Sequence, residues 1–270
     1  MDSRTTLIKQ NFKIKQVFIN NYSDFEKYLV KGKASFYRGE SNSTWTINSS
    51  IIRKIKGRLN GQEYVLNYHK LLAETSQYKK IYDSRVSSKH SFTRFLSYLQ
   101  HAVSFSPFID ITSELWVAVS FCLENIQKDN KEKIKYNAAI YAFTIETPKE
   151  KNKYVLQTAE EVDRALKKLS IGINKTNILK EKVEVYIIDS TKVPSTNDRM
   201  IYQKGSFLMI DNYSIDSNFS TKQIFNSKEI SITKYIIKKD VLEKVFWELR
   251  NNHAEYTIDY LYNPYLFLQG

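Results

Sequence analysis

Phe36-Tyr37-Arg38-Gly39-Glu40 is the stretch on which the reading of this chain turns. Ala34 to Tyr37 reads as a short strand that ends at the Arg38-Gly39 step. An arginine there offers a rigid fork of five donors, and a glycine beside it lets backbone come close to a ligand. Such a fork grips a phosphate through two parallel charge-assisted hydrogen bonds. A structural arginine, paired with Asp110 or Glu40, satisfies the same sequence. Both readings stand at this point.

On the amino-terminal side, Ser23-Asp-Phe-Glu26 has capping-box spacing and opens a short helix through Val30, which Gly32 terminates. On the other side, residues 62–82 carry apolar residues at helical spacing. Phe92, Phe95, Leu96 and Leu99 then make an amphipathic helix that delivers Gln100 and His101 at its end. Thr112 or Ser113 caps the next helix, whose apolar set is Leu115, Trp116, Val119, Cys122 and Leu123. The character then changes. Ala138 to Ile145, Val183 to Ile188, Ser206 to Ile210 and Ile230 to Ile237 read as buried strands. Thr158-Ala-Glu-Glu161 is a second capping box, and Asp240 caps a helix with Val241, Val245, Phe246 and Leu249 inward. Helices in the first half and strands in the second predict an α+β fold, a helix-rich N-terminal half packed on a mixed, mainly antiparallel sheet. With no internal repeat and no linker, a single domain over residues 1–270 is expected.

Composition bounds the function. A chain of 270 residues buries a sizeable core. Cys122 is the only cysteine, which excludes an internal disulfide and fits a reducing, cytoplasmic setting. The apolar stretches are too short to span a bilayer, so no membrane role is expected. Four histidines without ligand spacing argue against zinc, and the seven glycines form no phosphate loop. The net charge of +12 invites a polyanion, with Arg53 to Arg58 and Lys234 to Lys239 as the densest clusters. Lysine spread over a solvated surface explains the same charge.

Two later segments sharpen the reading of the pentapeptide: Leu99-Gln-His-Ala-Val-Ser-Phe-Ser-Pro-Phe-Ile-Asp-Ile-Thr-Ser113 and Arg199-Met-Ile-Tyr-Gln-Lys-Gly-Ser-Phe207. In this order the three resemble the FRG domain family, named for its Phe-Arg-Gly signature, over residues from about 34 to 264. A looser resemblance is to ADP-ribosyltransferases. Arg38-Gly39 resembles their first motif, and Asp110-Ile-Thr-Ser-Glu-Leu-Trp-Val-Ala-Val-Ser-Phe121 resembles the second. Gln203-Lys-Gly205 occupies the third, with Gly205 where the catalytic glutamate belongs.

The resemblance implies an ADP-ribosyltransferase-like fold and NAD as substrate. It places Arg38, Gly39, Thr112 and Ser113 on the cofactor, and gives Gln203, His101 and Asp110 catalytic parts. It implies a toxin or defence effector that acts as a transferase or NAD glycohydrolase on a nucleic-acid or protein acceptor, with a cognate inhibitor or defence partner. Glutamine hydrogen-bonds a ribose without offsetting charge, and losing one preorganised electrostatic group costs on the order of 100- to 1,000-fold in rate. Glu40, Asp110 or Asp211 is the substitute carboxylate if there is one. Two other readings stay open: a non-catalytic module that binds nucleotide or nucleic acid, and a protein-interaction component of a defence or regulatory system. The site reading expects Arg38, His101, Asp110 and Gln203 to converge around one pocket.

Overall fold

The computed structural model describes residues 14–45, 47, 108–124, 134–145, 155–156, 158, 161, 184–188, 203–211 and 230–262. They build one mixed sheet of eight strands: β1 (Lys15–Ile19), β2 (Phe36–Glu40), β3 (Ile109–Thr112), β4 (Ala138–Ile145), β5 (Val155–Leu156), β6 (Glu184–Ile188), β7 (Gly205–Asp211) and β8 (Ile230–Ile237). The spatial order is β1-β8-β4-β2-β3-β7-β6-β5. The pairs β1–β8 and β5–β6 are parallel, and the other pairings are antiparallel. The helices are α1 (Tyr22–Phe25) continued by a π-helical turn (Glu26–Val30), α2 (Leu115–Cys122), α3 (Lys239–Asn252) and α4 (Ile258–Tyr262). The architecture is α+β.

A helix-rich N-terminal half is not what the described residues form. β1, β2 and β3 lie there alongside α1, the π turn and α2. The helices expected at 62–82 and before Gln100-His101 fall outside the described residues, as does the 53–58 basic cluster.

Residues of successive parity on β2 and β4 separate two cores, because side chains alternate across a sheet. Tyr37, Ile140 and Ala142 join α1, α2 and α3 in one core with Phe25, Trp116, Val119, Val245 and Leu249. Phe36, Tyr141 and Phe143 join Ile109, Ile111, Leu208 and Ile232 in the core on the opposite face. Helix α2 is buried on nearly all sides, Leu115 to Ser120 and Cys122 included. Cys122 is a core residue, its thiol donating to the Ala139 carbonyl oxygen at 3.1 Å. Burial pushes that thiol up, so it stays protonated.

Helix starts follow partners other than the expected ones. Asn21, two residues before Ser23, caps α1 by accepting from Asp24 N–H at 2.8 Å. Asp24 in turn accepts from Asn20 N–H at 3.1 Å, one residue before the cap. No side chain of its own caps α3; Asn137, at the entry of β4, accepts from Lys239 N–H at 3.0 Å, and Asp240 sits in the first turn, where the helix dipole favours it. The Thr158–Glu161 capping box is made in both directions, at 3.1 and 3.2 Å. Among the described residues no helix is long and apolar enough to cross a membrane.

Candidate functional site

Arg38 is not at the end of its strand. β2 runs through it to Glu40, because β4 pairs with all five residues, Phe36 against Phe143 through Glu40 against Ala139. The chain has a reason for Gly39 that is local to the fold. A Cβ built there collides with the Ala118 carbonyl oxygen and crowds the Cys122 amide, so α2 lies directly on this strand. The close approach that glycine permits is made by the helix backbone.

Phe36, Arg38 and Glu40 share the opposite face. Arg38 Nε donates to Glu40 Oε1 at 2.7 Å, and Nη1 donates to the Asp110 carbonyl oxygen at 2.6 Å. Both alternatives weighed for Arg38 are thus partly met: it is paired with Glu40, and it touches Asp110 through the main chain. Ile109 and Ile111 belong to the core on Arg38's face, so Asp110 and Thr112 alternate toward the α2 side. Burial pulls the Arg38 pKa down, and the carboxylates of Glu40 and Asp110 more than offset it, leaving it above its ordinary value.

Register extends the polar row. Arg38 stands opposite Tyr141, and Tyr141 opposite Lys234, across three adjacent strands. Lys234 is 8% exposed, Glu40 6% and Tyr141 1%. Lys234 Nζ donates to the carbonyl oxygens of Ser43 at 2.6 Å and Trp45 at 3.3 Å, and lies 5.0 Å from the Tyr141 ring centre. Tyr141 Oη donates to Trp45 O at 2.8 Å. Burial depresses the Lys234 pKa, with Glu40 opposing. The reading of Lys234 to Lys239 as a surface cluster is therefore corrected: Lys238 and Lys239 are exposed, but Lys234 is inside. Its parity with the buried Ile232 and Ile236 was the signal available in the sequence.

The remaining residues gather where β3 enters α2. Thr112 Oγ1 donates to the Gln203 carbonyl oxygen at 2.8 Å and accepts from Glu114 N–H at 3.0 Å. It closes a turn before the helix; Glu114 holds the N-cap position, without a side-chain cap bond. Ser113 Oγ reaches Lys204 O at a long 3.4 Å. Lys204 has φ 42°, the left-handed region that non-glycine residues enter at a cost. Its Nζ is held by Glu114 at 2.9 Å and Tyr256 Oη at 3.4 Å. Gln203 is 4% exposed, and its Nε2 has no hydrogen-bond partner among the described residues. Nearby, the Trp116 and His253 rings stack at 3.9 Å.

Of the four residues expected around a single pocket, Arg38, Asp110 and Gln203 are among the described residues, and these three are not brought to one point. His101 lies outside the described residues. Arg38 meets Asp110 at its backbone carbonyl, and the strand register sets their side chains on opposite faces of the sheet. Gln203 meets Thr112 instead. Of the substitute carboxylates, Glu40 is committed to Arg38, and Asp211 stands at the far end of β7, opposite Glu184.

No curated protein and no solved structure matches the chain. The FRG domain family model matches residues 33–131, a stretch that contains β2, β3 and α2 but leaves Gln203, Lys234 and most of the sheet outside it. The Gly39–α2 contact and the Arg38 bond to β3 both lie inside that stretch, the part of the chain that is similar to the FRG domain.

Proposed function

We propose that this protein is a binding module that holds a phosphate-bearing ligand on Arg38 without transferring a group from it. One observation carries the reading. Arg38 is fixed by Glu40 and by the Asp110 carbonyl, and these bonds use only two of its five N–H donors among the described residues. A guanidinium already fixed in place loses little freedom when its remaining donors meet a phosphate.

Binding fits Arg38 better than group transfer does. The Gln203 amide, buried without an acceptor among the described residues at a cost of about 1–3 kcal/mol, gathers with Thr112 and not with Arg38. Transfer needs a carboxylate where positive charge develops, and the nearby Glu114 is engaged by Lys204. The second reading keeps the transferase: an ADP-ribosyltransferase-like fold and a toxin or defence effector acting on a nucleic-acid or protein acceptor. The direct step from β3 into α2, where the second motif resembles those enzymes, favours it.

Thermal shift and calorimetry with pyrophosphate and NAD test the proposal. Ligand at 100 times its Kd adds about 2.7 kcal/mol of stability in the parent, and Arg38→Lys, which keeps the charge and loses the planar fork, abolishes the gain. Release of nicotinamide that disappears in Gln203→Ala would overturn the non-catalytic reading and install the transferase.

A further inference from the structure

We infer that Trp45 and Lys234 extend the Arg38 site into a nucleotide site, the Trp45 indole stacking the base while Arg38 and Lys234 share the phosphate. The inference rests on the Arg38 reading and adds to it a ligand class and two residues.

Charge comes first. On this face of the sheet the polar row holds two cations, the half-buried Arg38 and the buried Lys234, and one carboxylate, Glu40. Asp110 acts on Arg38 from the other face. The two carbonyls that Lys234 contacts satisfy its hydrogen bonds but carry no charge, so on this face Glu40 alone, among the described residues, stands against both cations. Two strand spacings of about 4.8 Å, about 10 Å in all, put Arg38 and Lys234 on either side of Tyr141, a span for a pyrophosphate between the two side-chain ends.

The second element is Trp45. It is 50% exposed, yet its main chain is among the most firmly held on this face. Its carbonyl accepts from both Tyr141 and Lys234, and its N–H donates to Asn42 O at 3.1 Å. Asn42 Oδ1 accepts from Thr44 N–H at 2.9 Å and from its hydroxyl at 2.8 Å. Ser43 N–H donates to Asn137 O at 2.6 Å. A large indole presented to water on a locked turn, its own carbonyl in contact with a buried ammonium, is a stacking platform beside a phosphate cradle. Aromatic faces of this kind hold nucleobases irrespective of sequence. A free nucleoside diphosphate and a single strand with a 5′-phosphate share this chemistry.

Calorimetry on the full chain tests it with three probes: ADP, inorganic pyrophosphate, and a 5′-phosphorylated single-stranded tetranucleotide. Trp45→Ala, a surface change that leaves the fold in place, weakens ADP by on the order of 10-fold or more and leaves pyrophosphate unchanged. Trp45→Phe keeps most of the ADP affinity, and Lys234→Met weakens both ADP and pyrophosphate. The tighter of ADP and tetranucleotide, with the same dependence on Trp45, identifies the source of the ligand. Equal ADP affinity in Trp45→Ala and the parent overturns the inference, while pyrophosphate binding that needs Arg38 leaves the earlier reading intact. Absence of binding by ADP, tetranucleotide and pyrophosphate to the parent overturns both.

Discussion

Strand β2 presents two faces that solve opposite problems. On one side Tyr37 and Gly39 lie under α2 so closely that no side-chain atom fits at Gly39. On the other, Arg38 and Glu40 begin a charged row that continues through Tyr141 to Lys234. The α2 face depends on the absence of atoms, and the opposite face on polar atoms that must be satisfied. Five consecutive residues therefore carry both a packing constraint and an electrostatic one, divided by parity alone.

The comparison breaks most sharply at Gly39. Gly39→Ala forces backbone against backbone, and we expect a loss at the upper end of overpacking costs, about 3 kcal/mol or more. Denaturant unfolding measures it; a variant as stable as the parent would show that α2 is free to shift. Glu40→Ala tests the other face. It leaves Arg38 buried without its carboxylate, and the pair is almost fully enclosed, so a loss of about 2–3 kcal/mol is expected. Glu40→Gln should recover part of that. Equal stability of the Gln variant and the parent would mean that the hydrogen bond matters there and the charge does not.

Alkaline pH probes both faces together. Burial raises Tyr37 on the α2 side and Tyr141 in the polar row, and burial with Glu248 raises the Tyr22 phenol to about 12. A folded-state pKa above the unfolded one gives stability that is fully present below pH ~10 and is lost as pH rises through the folded values. Unfolding free energy measured from pH 8 to 12 should fall above pH ~10. Tyr141→Phe should flatten part of that fall while costing about 1 kcal/mol at neutral pH for its bond to Trp45. An unchanged slope in that variant would take Tyr141 out of the account. The smallest effect belongs to Trp45→Ala, within about 0.5 kcal/mol of the parent, as at other exposed positions. A larger loss in its melting curve would make the indole a structural residue of the polar face.

The sequence was legible where a segment's own residues decide its state. β4 and β8 fall at Ala138–Ile145 and Ile230–Ile237 as read, because the apolar run of β4 and the β-branched run of β8, with Ile230, Ile232 and Ile236 on one parity, have no competing structure. It misled where a partner distant in sequence decides. Gly39 looks like a strand end, but β4 hydrogen-bonds along the whole of β2 and carries it past the glycine. Asp240 looks like a cap, but Asn137 arrives from β4 to do that work. For the site, the Arg38–Glu40 pair was readable from i,i+2 spacing on one face of a strand. The Lys234 contribution was not, because it depends on β8 lying beside β4, a pairing that no local pattern announces. Thr112 and Gln203 were chosen from a resemblance; their contact is a bond between hydroxyl and main chain, invisible to residue type.

The edge of the sheet has a consequence in time. β1 pairs in parallel with β8, Lys15 opposite Thr233 and Ile19 opposite Ile237, so nearly the whole described chain separates the two partners. Ile19 enters the same core as Val245 and Leu249 of α3. On a ribosome β1 emerges early and finds nothing to pair with until β8 has been made. Contacts of such sequence separation close late and slow folding, and strands awaiting partners expose edges that invite misassembly. Among the described strands the last in sequence thus completes the first, and synthesis stalled before β8 leaves β1 without this partner.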